Sequence, residues 1–108
     1  MQEMVMGGNM QKVRKATAVV VNPTQIAVAL LYDKEKGGVP EVVMKGERLI
    51  ADKIREIAKE SGVPIIRNVS LAQALNRLEV GDYIPEELFE SVAEVLNFVY
   101  KLGQHQRR

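Results

Sequence analysis

The chain has 108 residues, which is the size of one ordinary domain. Hydrophobic residues make up 46% and charged residues 27%, so the chain can bury a core and disorder is not expected. The formal net charge of +1 gives no electrostatic indication of a nucleic-acid partner. Cysteine is absent and His105 is the single histidine, which excludes disulfides, cysteine nucleophiles, histidine triads and multi-histidine metal sites.

The apolar runs are too short for membrane insertion. The longest uninterrupted run, at 26–32, falls well short of the roughly 18 to 20 residues that span a bilayer. The N-terminus also lacks the charged and then apolar layout of a signal peptide. We therefore expect a soluble domain, which can also be a piece of a longer protein.

The first part of the chain predicts a linker followed by two strands. Residues 1–15 have loosely helical apolar spacing interrupted by a pair of glycines, which predicts a weak helix or a mobile linker. Continuous apolar runs at 16–21 and 26–32 are typical of strands buried on both faces of a sheet. The residues between the runs, 22–25, predict a tight turn.

The middle of the chain predicts a strand, a helix and a strand. A polar loop at 33–40 leads to a third strand over 41–45, which we expect to pair antiparallel with the second strand. Gly46 opens a helix over 47–60, and a fourth strand follows over 64–69. The third strand, the helix and the fourth strand then form a right-handed parallel crossover.

Two more helices complete the prediction. Ser70 and Gln73 form a capping box that starts a short helix. Pro85 begins the last helix, and Gly103 ends it. The buried faces of the three main helices are predicted to be Ile50, Ile54, Ile57 and Ala58; Leu71, Ala74, Leu75 and Leu78; and Leu88, Val92, Val95, Leu96, Val99 and Leu102. The fold class is α/β, with one mixed four-stranded sheet surrounded by about four helices.

The sequence gives little support for a conventional catalytic site. Glu86 and Glu87 are adjacent on a helix, so their side chains diverge, and the helix dipole explains their place in the first turn. The serines have no histidine to activate them, and aromatic residues are too few to suggest base stacking. We expect no cofactor, no metal and no nucleic-acid partner, and a turnover enzyme is the least favoured class.

The Asn22-Pro23 bond has distinctive chemistry. An asparagine usually degrades when the backbone nitrogen of the next residue attacks its side chain, and proline has no N–H for that attack. The remaining route runs from the Asn22 side-chain nitrogen to the Asn22 backbone carbonyl. It closes a succinimide and releases Pro23 as a new N-terminus, so the chain is cut without an external nucleophile.

A fold can accelerate this slow reaction. It must hold the side-chain amide in line with the carbonyl and aim donors at the developing oxyanion, and a turn clamped by two buried strands can do so. Asn-Pro is also an ordinary turn dipeptide. The alternative is therefore a small α/β protein-binding domain that does not cleave, in which Asn22-Pro23 is only a turn.

The segment Val19–Leu30, VVVNPTQIAVAL, resembles the signature of the FlhB/YscU family, the export-switch proteins of flagellar and virulence type III secretion systems. The family motif reads Asn-Pro-Thr-His followed by Ile-Ala. The resemblance extends over essentially the whole chain. Further matching segments are Lys45-Gly46, Gly62–Ile65, Leu71–Leu75, Tyr83–Glu86 and Glu94–Leu96.

The resemblance implies a cytoplasmic C-terminal domain at the inner face of the bacterial inner membrane. Residues 16–103 would form this domain, with 1–15 as a linker from an absent membrane domain and 104–108 as a frayed tail. Its implied partners are export-gate components, secreted substrates and the length-control protein of the apparatus. The resemblance leaves open whether the system is flagellar or a virulence system.

The family also implies roles for the motif residues. Family members cut themselves between the Asn and the Pro of the motif, which changes the class of exported substrate. By that match Asn22 is the cyclising residue, Pro23 is the leaving amine and Thr24 shapes the turn. Gln25 stands where the family has histidine, so any proton transfer by an imidazole is lost. We therefore predict cleavage that is slower than usual.

Overall fold

The computed structural model describes residues 10–106. Its strands are β1 (Ala18–Asn22), β2 (Ile26–Leu31), β3 (Glu41–Glu47) and β4 (Ile65–Arg67). Its longer helices are α1 (Leu49–Ser61), α2 (Val69–Asn76) and α3 (Phe89–Gln106), with short 3-10 turns at Lys34–Lys36 and Glu86–Leu88. None of the helices in residues 10–106 is both long and apolar enough to cross a bilayer.

The strands form one mixed sheet in the order β3-β2-β1-β4. β1 pairs antiparallel with β2, β2 pairs antiparallel with β3, and β1 pairs parallel with β4. The predicted fold class is therefore confirmed. β3 and β4 run in the same direction but lie at opposite edges, so the crossover through α1 passes over two strands.

The two central strands are buried on both faces, as their apolar runs predict. On one face α1 and the helical residues 10–13 cover Val19, Val21 and their neighbours. On the other face α2 and α3 cover Ala18, Val20 and their neighbours. Burial of each large side chain contributes about 1.5 to 3 kcal/mol, so β1 is anchored from both sides.

The start of α1 differs from the prediction. Gly46 does not open the helix but belongs to β3, which continues to Glu47, and α1 begins at Leu49. Ala51 joins Ile54, Ile57 and Ala58 on its buried face. The backbone turns sharply between strand and helix, and a glycine before a polar residue gives no indication of which element it belongs to.

The start of α2 also differs. Asn68, not Ser70, is the N-cap, and its side chain accepts a hydrogen bond from the backbone N–H of Leu71 at 3.1 Å. The capping box of Ser70 and Gln73 is therefore wrong, because the end of the short strand β4 at Arg67 places Asn68 at the cap. The buried face consists of Leu71, Ala72 and Leu75, with Ala72 in place of the predicted Ala74.

The two ends of the chain show further differences. Gly103 does not end the last helix, since α3 continues to Gln106, so 104–106 of the predicted frayed tail are helical and 107–108 lie outside the described residues. Of the predicted linker, 1–9 lie outside the described residues as well. Met10 and Val13 are buried against the face that α1 covers, so this part of the linker packs on the domain.

Candidate functional site

The four predicted site residues, Asn22–Gln25, form one hairpin turn between β1 and β2. Asn22 pairs with Ile26 across the hairpin, and the backbone N–H of Gln25 donates to the Asn22 carbonyl at 3.0 Å. Asn22 is half-buried, whereas Pro23, Thr24 and Gln25 are exposed. The structure thus presents the Asn22-Pro23 bond at the tip of the two central strands.

The sequence explains the shape of this turn. Proline fixes φ at about −65°, which suits the second position of turn types I and II. Type II also needs a positive φ at the third position, and Thr24 has none, because Arg48 is the non-glycine residue with a positive φ among the described residues. The turn is therefore type I, and asparagine is favoured at its first position.

The Asn22 carbonyl, which the cyclisation would attack, already has a hydrogen-bond donor. That donor is the backbone N–H of Gln25, at 3.0 Å. A backbone amide is present whatever side chain stands at this position. The arrangement can therefore polarise the carbonyl and stabilise a developing oxyanion without help from the residue 25 side chain.

The side chain of Asn22 continues the row of Ala18 and Val20, because side chains alternate between the faces of a strand. Those two residues belong to the face that α2 and α3 cover, and so does Ile26. Asn22 is therefore the polar end of an otherwise apolar row. The Asn22 side chain is therefore restricted on the side of the helices and accessible to solvent on the other side.

Two backbone amides from outside the hairpin hold the residue before the turn and the last residue of the turn. The N–H of Asn68 donates to the Val21 carbonyl, and the N–H of Arg48 donates to the Gln25 carbonyl, each at 3.0 Å. Asn68 follows β4 and Arg48 follows β3, so the clamp comes from both edges of the sheet. The turn is thus fixed to its surroundings on both sides and not only across the hairpin.

Arg48 adopts a backbone conformation that non-glycine residues rarely take. Its φ is 54° and its ψ is −116°. A residue held in such a region costs about 1 to 3 kcal/mol and persists only where the surroundings impose it. The Arg48 side chain is exposed, and the ion pairs and side-chain hydrogen bonds of the described residues do not include its guanidinium. This conformation turns the chain from β3 into α1 directly after the Arg48 N–H, which donates to the Gln25 carbonyl.

Gly46 allows α1 to start directly over the end of β3. A Cβ atom at Gly46 would lie 2.1 Å from Ile50 Cγ2 and 2.6 Å from Ile50 Cβ. Gly46 also pairs with Ala27, and Glu47 pairs with Ile26, the first residue after the turn. The close approach of strand and helix therefore sets the position of Arg48 beside the turn.

Arg48, Asn68 and Gly46 are the contributors that sequence reasoning missed. An asparagine directly before an apolar helix is a recognised cap signal, so Asn68 could have been found. Gly46 lies in a segment that matches the family, but nothing in the sequence indicates its contact with Ile50. For Arg48 no signal exists, because arginine has no preference for a positive φ.

A separate apolar groove with a cavity volume of about 300 Å³ lies away from the turn. It is formed where α3 packs beside the loop that precedes β3. Its lining includes Tyr32, Val39, Pro40, Ile84, Phe89 and Leu96. No residue of 22–25 contributes to it, so the groove and the turn are distinct features of the surface.

Comparison with known proteins gives consistent matches. A family model described as "FlhB HrpN YscU SpaS Family" matches residues 1–99. The flagellar biosynthetic protein FlhB of Bacillus subtilis is 46% identical over 104 residues, which is 95% of this chain. The hypersensitivity response secretion protein HrcU of Ralstonia nicotianae is 46% identical over 93 residues, which is 86% of this chain.

A solved structure agrees with the fold. The crystal structure of the cytoplasmic domain of FlhB from Shewanella putrefaciens superposes with a TM-score of 0.90 at 38% identity, covering 94% of this chain and 79% of that one. The matched regions are small parts of the full-length relatives. This chain spans 29% of the Bacillus subtilis protein and 26% of the Ralstonia protein.

Proposed function

Because the chain belongs to the FlhB HrpN YscU SpaS family, we propose that it is the substrate-specificity switch domain of a type III protein export apparatus. In this proposal the chain cuts itself once, between Asn22 and Pro23, and has no turnover. The observation that supports it most directly is the turn itself, in which the bond to be cut is exposed and its carbonyl accepts a backbone hydrogen bond at 3.0 Å.

The proposed reaction is an intramolecular acyl transfer. The side-chain nitrogen of Asn22 attacks the Asn22 backbone carbonyl carbon, and a C–N bond closes the succinimide ring. The bond to the Pro23 nitrogen breaks, and a proton lost from the Asn22 amide ends on that nitrogen, which becomes the new N-terminus. Water then opens the succinimide. The Gln25 N–H stabilises the oxyanion that develops before the bond breaks.

Folding should start the reaction, because only the folded turn supplies the positioned donor. The chain is purified unfolded in urea and refolded by dilution, and intact mass spectrometry follows the appearance of fragments 1–22 and 23–108. We expect both fragments after refolding and neither in urea. Asn22→Ala should abolish the cut, whereas the matched change Asn97→Ala, at an exposed position on α3, should leave it unchanged.

The residue at position 25 tests the role of the side chain. Gln25→His restores the residue of the family motif and should accelerate the cut. A folded chain that stays intact through prolonged incubation, with either residue at position 25, would refute the cleavage. The protein would then be the alternative, a small protein-binding domain in which Asn22-Pro23 is only a turn.

The two fragments should remain associated after the cut. β1 lies between β2 and β4, and Val19, Val20 and Val21 are at most 4% exposed. Breaking one peptide bond at the tip of the hairpin leaves these contacts in place. Size-exclusion chromatography at neutral pH should therefore give one peak that contains both fragments, and separation without denaturant would contradict the proposal.

The cut would then act locally, at the exposed end of the two central strands. We propose that export-gate components, secreted substrates and the length-control protein distinguish the cut from the intact turn. The domain would work at the cytoplasmic face of the inner membrane, with the residues before Met10 leading to a membrane-embedded part and the packed residues from Met10 to Gln106 as the domain.

A further inference from the structure

We propose that Arg48 is a positioning residue for the cut, and that it acts through its backbone N–H and not through its charge. This inference rests on the proposed self-cleavage and adds a component to it. Its basis is the chain of two hydrogen bonds that ends at the bond to be cut.

The first hydrogen bond joins Arg48 to the turn, and the second joins the turn to the reacting carbonyl. The Arg48 N–H donates to the Gln25 carbonyl, and the Gln25 N–H donates to the Asn22 carbonyl, each at 3.0 Å. Gln25 is therefore held at its carbonyl while its amide points at the reacting group. Release of the first bond would let Gln25 rotate and misalign the second.

The conformation of Arg48 supports this role. A φ of 54° with a ψ of −116° is a backbone state in which glycine is the expected residue. The exposed guanidinium has no hydrogen bond or ion pair within residues 10–106 that would compensate for the strain. Backbone strain of this kind concentrates at sites where a group must be held in position.

The surroundings fix this conformation from both directions. Glu47 is tied to the hairpin through its pairing with Ile26. Leu49 begins α1, whose next residue, Ile50, lies directly over Gly46. Arg48 is the single residue between these two anchors, so the strand fixes the Glu47–Arg48 peptide group that carries the N–H, and the helix fixes the chain that follows it.

The decisive experiment removes the N–H at residue 48 and keeps the side chain and the chain length. The ester also weakens the preceding carbonyl as an acceptor, a change that the control ester at residue 82 shares. Arg48→Ala serves as the parent, and its residue 48 amide is replaced by an ester through incorporation of the matching hydroxy acid. Refolding from urea starts the reaction, and mass spectrometry measures the rate at which the Pro23 N-terminus appears. We expect the ester to cut about 10- to 100-fold more slowly, which is the effect of a small misplacement at a reacting centre.

An ester at residue 82 is the matched control. The Asp82 N–H donates to the Glu79 carbonyl at 2.9 Å in a turn away from the hairpin. Urea unfolding should show comparable losses of stability for the two esters, whereas only the ester at residue 48 slows the cut. Equal cleavage rates in the two esters would overturn the positioning role while leaving the self-cleavage intact.

Side-chain variants separate the backbone from the charge. Arg48→Ala and Arg48→Gly both keep the N–H and should cut within about threefold of the original chain, and Arg48→Gly should also be more stable because strain is relieved. A tenfold loss in a folded Arg48→Gly would overturn the backbone role. If the original chain with Arg48 is never cut, the proposed function and this inference both fail.

Discussion

Replacement of Gly46 by alanine tests the close approach of β3 and α1 most directly. The new Cβ would lie 2.1 Å from Ile50 Cγ2, 2.6 Å from Ile50 Cβ and 3.5 Å from the Ile50 carbonyl carbon. Carbon atoms in contact sit about 3.5 to 4.0 Å apart. Rotation of the Ile50 side chain can move Cγ2, but Cβ moves only with the backbone, so the first turn of α1 must shift by roughly 1 Å.

The expected cost is that of overpacking. Forced backbone shifts of this kind cost about 1 to 3 kcal/mol, and the short contact with Cβ places Gly46→Ala toward about 2 to 3 kcal/mol. A domain with a stability of about 5 to 15 kcal/mol stays folded after such a loss. The shift also moves Arg48, so the variant should cut more slowly than the original chain.

Urea unfolding monitored by circular dichroism measures the loss of stability, and Gly103→Ala is the control. Gly103 lies in α3, and a Cβ atom added to it would have no neighbour within 4 Å, so the same substitution should stabilise by up to about 1 kcal/mol. The double variant Gly46→Ala with Ile50→Ala should show a favourable coupling of at least about 0.5 kcal/mol. The reason is that Ile50→Ala removes Cγ2, the atom nearest to the new Cβ. A loss below about 0.5 kcal/mol in Gly46→Ala would refute the packing argument.

Substitutions at three further positions probe other parts of the fold, each by urea unfolding. Asn68→Ala removes the cap of α2 and should cost about 1 kcal/mol, whereas Asn68→Asp keeps an acceptor and should stay close to the original chain. Lys45→Met loses the bond from Lys45 Nζ to the Asn76 carbonyl, at 2.8 Å, and should cost about 0.5 to 1 kcal/mol at the end of that helix. Leu30→Ala empties a fully buried position and should cost about 3 to 5 kcal/mol.

The central part of the fold was predictable from the sequence, because it depends on local patterns. The continuous apolar runs indicated β1 and β2, and the Asn-Pro dipeptide between them indicated the turn. The amphipathic spacing of Ile54 and Ile57 likewise indicated α1. In these segments the pattern of burial and the local conformational preference point to the same structure.

The errors lie at boundaries, where tertiary contacts decide. Gly46 stays in β3 because that strand pairs with β2 up to Glu47. Asn68, which directly follows β4, displaces Ser70 as the cap because its N–H donates to the carbonyl of Val21 in β1. Gly103 continues α3 because one helical glycine costs only about 1 kcal/mol. The sequence around each residue does not show which tertiary contact determines the boundary.

At the candidate site, what the sequence could predict concerns side chains, and what it could not predict concerns the backbone. The sequence predicted which residue would cyclise and which amine would leave, since both predictions depend on residue type. The donors at this turn are the backbone amides of Gln25, Arg48 and Asn68, and any residue except proline supplies a backbone amide. If the cut depends on these donors, glutamine in place of histidine removes an accessory group and leaves the oxyanion donor in place. The effect of Gln25→His on the cleavage rate then measures what the imidazole adds, separately from the geometry that the backbone provides.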